Sequence, residues 1–141
     1  MTDMKDGDKK EEKTLAQVDI NDIGKKFVEH FYTIFDNNRL QLADLYQDTS
    51  LLTFEDERYE GREAIMAKLC NGVNFKKIQH IPKTLDIHPS GANGLFIMVT
   101  GEVKVDEEVN ALKFGEIFHL MPTDKTFTRF WLHNNVFRLN Y

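Results

Sequence analysis

Two stretches of this sequence gather side chains that could do chemistry together. Phe75-Lys76-Lys77-Ile78-Gln79-His80 sets two lysines and a histidine among apolar residues, where a helical pattern hands over to an extended one. Asp106-Glu107-Glu108 places three carboxylates side by side in a turn between strands. Taken singly, each has a plain reading: the first is the start of a strand, the second a solvated loop. Other chemistries lack their residues. There is no cysteine pair and no His-x-x-x-His, so no metal signature. His80 and His88 lie eight apart on an extended run and read as ordinary polar residues. Gly91 and Gly94 belong to a hairpin rather than a phosphate-binding loop, and no nucleophile elbow is present. Cys70 is the single cysteine and reads as a small apolar residue on a helix. Asp86 and His88 are the only groups placed on a strand that could act as an acid or base inside a cavity.

Composition bounds the partners. The chain has 141 residues, enough for one domain with one main core. Its formal net charge of −5 argues against nucleic acid, which needs clustered Lys and Arg, and is compatible with a basic partner. The 11 phenylalanines imply a thick core or an apolar surface that a partner covers. A lone cysteine suits a reducing compartment. No run is long and apolar enough to span a bilayer, and the first residues lack a signal-peptide core. The expected location is therefore cytoplasm or nucleus.

These residues need elements to position them. Residues 1–14 are polar and charged and are expected to form a flexible tail, leaving 15–141 as one domain. From Asp19 the spacing turns helical: Ile20, Ile23, Gly24, Phe27, Phe31, Ile34 and Phe35 share one face, with Asp19 or Asn21 as cap. Lys25, Lys26, Glu29 and His30 lie off that face, so His30 reads as solvated. Asp36-Asn37-Asn38 reads as the stop. A second short helix is expected with Leu42, Leu45 and Tyr46 as its apolar side. Leu51–Glu55 and Arg58–Glu60 read as strands around a turn at Asp56-Glu57. Gly61 opens a third helix with Ile65, Met66 and Leu69 inward, ended by Asn71-Gly72.

Four extended runs follow, roughly 77–88, 95–105, 112–121 and 127–139, separated by turns at 89–94, 106–108 and 122–125. Short connections imply hairpins and an antiparallel sheet. The fold class is α+β: a strongly curved antiparallel sheet whose concave side is closed by helices, enclosing a cone-shaped cavity. Leu95, Ile97, Val99, Val103 and Val105 share one face of their strand, with Phe96 and Met98 on the other. In the last run Phe130, Leu132 and Val136 oppose Trp131, His133 and Phe137. Both faces of the sheet are partly apolar, so a homodimer through the sheet is expected, with Phe96, Met98 and Val136 at the seam.

A family resemblance joins the two stretches. Phe35-Asp36-Asn37-Asn38-Arg39 with Gln41-Leu42, Leu52-Thr53-Phe54-Glu55, Phe75–His80, Gly101, Lys104–Glu108 and Val136-Phe137-Arg138-Leu139 resemble the nuclear transport factor 2 family in order and spacing. The resemblance implies a non-enzymatic carrier, without cofactor, for the GTPase Ran in its GDP form. It implies that an aromatic side chain of Ran enters the cavity, with mouth residues Phe54, Val73, Phe75, Ile78 and Leu112. It also implies an acidic rim of Glu55, Asp106 and Glu108, with Lys77 and His80 nearby to pair with the rim acids. Reversing the charge of Asp106 or Glu55 is expected to abolish binding without unfolding. Phe-Gly repeats of nucleoporins are expected on Ile20, Ile23, Gly24 and Phe27, and the carrier at the nuclear envelope as well as in cytoplasm and nucleus. Phe54 stands where animal members have tryptophan, Glu108 replaces an aspartate, and Ile20 falls where a tryptophan contacts the repeats. Two other readings fit the same shape: a scaffold or mRNA-export cofactor that pairs with a second such domain, and an isomerase or dehydratase that uses the cone.

Overall fold

In the computed structural model, which describes residues 18–140, the apolar spacing that begins at Ile20 becomes helix α1 (Ile20–Asn37). The predicted tail over 1–14 lies outside the described residues. Asp19 caps α1: its side chain accepts the N–H groups of Asn21 and Asp22, which a helix start leaves without main-chain partners. Gly24, Phe27, Phe31 and Phe35 are buried as predicted, and Val28 and Tyr32 widen the buried face. The Asn38 N–H still reaches Ile34 O, but its φ of −152° leaves helical space, so the helix stops where expected.

The expected second helix is a 3-10 segment over Arg39–Leu45, with Leu42 fully buried. Tyr46 is not on it. That residue opens strand β1 (Tyr46–Phe54), where its hydroxyl bonds Asn135 at 2.9 Å and fixes it in the sheet. The next turn is Glu55-Asp56, one residue earlier than predicted, because Glu57 already pairs with Phe54 in β2 (Glu57–Glu60). Helix α2 (Arg62–Asn71) follows Gly61, whose φ of 88° suits glycine, and buries Ile65 and Leu69.

The four extended runs become β3 (Ile78–Gly91), β4 (Gly94–Val105), β5 (Leu112–Pro122) and β6 (Phe130–Asn140). The wide turn expected over 89–94 shrinks to Ala92-Asn93, both at positive φ, the geometry of a tight hairpin. Strand β3 runs through Pro82 and Pro89 because it is an edge strand, where a missing N–H costs no ladder bond. The six strands lie in the order β2-β1-β6-β5-β4-β3. All neighbours are antiparallel except β1 and β6, which run parallel. The sheet is curved and not closed into a barrel. Helix α1 packs on β3 and β4, and α2 on β1 and β2.

Alternation along β4 is as predicted: Leu95, Ile97, Val99 and Val103 are buried, and Phe96 and Met98 are exposed on the outer face. Along β6 it is not. Leu132 pairs with Leu120, but the next pair is Asn134 with His119, so β6 carries one extra residue at His133. That bulge reverses the period-two count. Leu132, Asn135 and Phe137 are buried, while Val136 pairs with outward Ile117. Simple alternation puts Val136 with Leu132 and Phe137 opposite; the bulge exchanges the two.

Candidate functional site

A pocket of about 250 Å³ opens where the end of α2, the β1–β2 turn and the segment leading into β3 meet the inner face of the sheet. Its depth is built from buried side chains: Phe35 on the last turn of α1, Ile78 and His80 at the start of β3, Val103 on β4 and Phe137 on β6. Its mouth is formed by Phe54, Glu55, Val73 and Phe75, with Glu57 and Lys68 at the edge. Strands β3, β4 and β6 each supply two residues spaced by two, Ile78 and His80, Val103 and Val105, Phe137 and Leu139, as a single face must. The Phe54 ring stacks on Phe137 at 4.9 Å between centroids, and Phe137 stacks on Phe114 at 5.7 Å, making one aromatic wall.

Six of the residues singled out from sequence line this pocket: Phe54, Glu55, Val73, Phe75, Ile78 and His80. Leu112, Lys77, Asp106 and Glu108 do not. Leu112 starts β5 opposite Val103 and is itself exposed. Glu108 is exposed in the turn after β4. Asp106 braces the segment behind Phe75: its Oδ1 accepts the N–H groups of Lys76 at 2.8 Å and Lys77 at 2.9 Å. Those two bonds hold the Asp106 carboxyl below the usual aspartate range. Glu55 is likewise tied to the frame. It sits at φ 61°, donates its N–H to Phe137 O, and accepts the Leu139 N–H at 2.6 Å through its carboxylate.

The expected pairing of Lys77 and His80 with the rim acids is not what forms. Lys77 meets Asp106 through its main chain. His80 is held by Asp36, which accepts the His80 N–H at 2.9 Å on one oxygen and faces Nδ1 at 2.7 Å with the other. Asp36, by sequence only part of the helix stop, is thus the residue that positions His80. One turn of chain further, the Arg39 guanidinium lies between the Phe35 and Phe75 rings, 4.9 and 4.8 Å from their centroids. It also donates to Leu69 O, so it ties α2 to the mouth.

A second group of polar residues escaped the sequence reading. Glu116 on β5 is buried between Phe114 and Phe118, accepts the Tyr32 hydroxyl at 2.8 Å and the Asn135 amide at 3.0 Å, and Asn135 in turn accepts from Tyr46. Burial pushes its carboxyl up to about 7, against the pull of those two donors. Its signal was the alternation Phe114-Glu116-Phe118, which puts an acid on the inward face. Asp86 and His88, the strand groups considered for catalysis, are exposed; they pair with outward Met98 and Phe96.

A wider groove of about 840 Å³ runs along the start of α1, floored by Ile23, Phe27, Leu45, Phe127 and Phe130, with Asp22, Lys26 and Arg129 at its edges. Gly24 offers it no surface, being buried where a Cβ would overlap Ile87. Ile20 is half-buried against the core. On the far side of the sheet Met98, Ile117 and Val136 stand in one row across three strands, with Phe96 beside them. Phe96 and Met98 are 41 % and 43 % exposed.

Comparison with known proteins gives a consistent picture. Residues 23–139 match the nuclear transport factor 2 (NTF2) domain. Nuclear transport factor 2B of Arabidopsis thaliana is 44 % identical over 128 residues, covering 90 % of this chain and 99 % of that one. The structure of nuclear transport factor 2 from Cryptosporidium parvum superposes with a TM-score of 0.79 at 40 % identity, covering 86 % of this chain and 94 % of that one. The Candida albicans Mtr2–Mex67 M domain complex gives 0.72 at 13 % identity, over 86 % and 94 % of the two chains, a likeness of fold alone.

Proposed function

The chain belongs to the nuclear transport factor 2 family, and from that membership we propose that it is a nuclear import carrier for GDP-bound Ran, acting without catalysis or cofactor. The observation that carries the reading is the aromatic-walled pocket with Glu55 at its mouth and Asp106 and Glu108 on the turn behind it. An aromatic side chain of Ran enters the pocket between Phe54, Phe75 and Phe137. Burying such a ring contributes about 2 kcal/mol. Basic groups beside it meet the acids, which fix orientation and speed encounter.

The rest of the cycle uses other surfaces. Phe-Gly nucleoporin repeats bind the groove beside α1, where Ile23 and Phe27 are at hand and Ile20 lies at the helix start. Two copies pair through Phe96, Met98 and Val136. The carrier then works in cytoplasm and nucleus and concentrates at the nuclear envelope. The test is a pull-down with purified Ran in each nucleotide state. Capture of Ran–GDP but not Ran–GTP is expected; equal capture of both, or of neither, defeats the reading.

A further inference from the structure

Glu57 and Lys68 share the mouth of the pocket with Phe54. Glu57 is the first residue of β2 and pairs with Phe54 across the hairpin. Its side chain is 63 % exposed, and its contacts fall on one oxygen: Oε1 accepts the Tyr59 hydroxyl at 3.0 Å and faces Lys68 Nζ at 3.5 Å. Among the described residues nothing donates to Oε2. The other acids named for the rim are committed differently. Glu55 accepts the Leu139 N–H, and Asp106 accepts those of Lys76 and Lys77. Asp106 and Glu108 do not line the pocket. Glu57 accepts no main-chain hydrogen bond. Its carboxylate can turn to a new cation without leaving a main-chain donor unpaired, which the carboxylates of Glu55 and Asp106 cannot do.

Lys68 is the reverse case, a cation firmly seated. Its side chain is 16 % exposed. It donates to Gly72 O at 3.1 Å, and its ammonium lies 5.4 Å from the centroid of the Phe54 ring and 5.7 Å from that of Tyr59. Those contacts hold it whether or not Glu57 stays. The ion pair itself, at 3.5 Å with one exposed partner, is weak and readily exchanged. Lys68 thus pairs with Glu57 from within the chain and competes with any cation that arrives from outside.

We propose that Glu57 is a further partner-binding residue of this site and that Lys68 sets its selectivity. The proposal rests on the Ran reading and sharpens it. The fitting partner presents an aromatic side chain with a basic one close by, and that basic group takes the Glu57 carboxylate over from Lys68. Lys68 keeps Gly72 O and the two rings, remains at the mouth, and repels a cation that arrives without reaching Glu57.

The test follows association of the whole chain with purified Ran–GDP by stopped flow, at low and at physiological salt. Glu57→Gln should lower the association rate about threefold at low salt, within the range of one exposed ion pair, and flatten its salt dependence. Its melting temperature should not change. Glu57→Asp keeps the charge and should keep most of the rate. Lys68→Met keeps the apolar stem and should tighten binding about threefold. In that chain Glu57→Gln should cost more than in the native one, because no internal cation competes. A Glu57→Gln chain that matches the native in rate and salt dependence overturns the proposal, and so does an equal cost in both backgrounds. The first comparison decides even where Lys68→Met fails to fold. Native protein that captures no Ran–GDP defeats the import reading and this inference together; native capture that Glu57→Gln leaves unchanged defeats this inference alone.

Discussion

Asp106 and Lys77 are bonded to each other twice, in opposite senses. The Asp106 N–H donates to Lys77 O at 2.9 Å, and the Lys77 N–H donates to Asp106 Oδ1 at 2.9 Å. The acid that would face a basic partner therefore also splices the β4 turn to the start of β3. Charge reversal at Asp106 removes an acceptor together with a charge, and at Glu55 it removes the acceptor of the Leu139 N–H. Neither reversal isolates electrostatics, contrary to what charge alone suggested. Asp106→Asn keeps an oxygen acceptor: it should weaken Ran–GDP capture about tenfold with an unchanged melting temperature. Asp106→Ala should lower both. Paired titration and thermal melts separate the two effects.

Glu116 makes stability depend on pH in a direction unusual for a carboxylate. Its ordinary value is near 4.5 and burial lifts it to about 7. As pH rises between those limits the unfolded chain releases the proton first, so the folded state loses stability, by on the order of 3 kcal/mol in total. His119 works the other way: burial and the nearby His133 lower it, so its penalty grows as pH falls through the histidine range. The difference between native protein and Glu116→Gln isolates the carboxyl. Urea unfolding from pH 5 to 8 should show the variant gaining on the native protein as pH rises. Parallel curves would refute it.

The outer row Met98–Ile117–Val136 should carry self-association. Met98→Glu places a charge in that row beside Phe96, where pairing of two copies would bury it unpaired. Light scattering should find the native chain dimeric and the variant monomeric, with unchanged far-ultraviolet dichroism. A native monomer would remove the seam from the proposal.

Gly24 holds α1 close to β3. Alanine gains about 1 kcal/mol over glycine in a helix, but its methyl would overlap Cδ1 and Cγ1 of Ile87. Ile87 is β-branched and yields little. Gly24→Ala should destabilise by about 1–3 kcal/mol as overpacking does, and Ile87→Ala in the same chain should recover part of it. Strict additivity in the double-mutant cycle would show that the two do not compete for space.

The core face of α1 and the alternation of β4 were legible because each repeats its period without interruption: Gly24, Phe27, Phe31 and Phe35 at helical spacing, Leu95 to Val103 at spacing two. Phe75 to His80 could be picked out because they mix apolar and charged types over a few residues, whereas Phe54 and Glu55 read as plain strand and entered only through the family resemblance. What stayed hidden depends on partners far along the chain. Tyr46 reads as helical until Asn135 is placed beside it. Asp36 reads as a helix stop until β3 brings His80 against it. Phe137 reads as outward because one extra residue at His133 resets the alternation without altering local composition.

That extra residue gives β6 a sensitivity to chain length rather than to side-chain identity. Substituting His133 leaves the tally of residues between Leu132 and Phe137 intact, so the pocket keeps its wall. Deleting one residue there would turn Phe137 out to solvent and Val136 in, erasing the pocket's aromatic wall and the row on the opposite face in a single step. Lineages that preserve both surfaces are therefore expected to vary freely in which residue stands at the bulge while tolerating no gap in it.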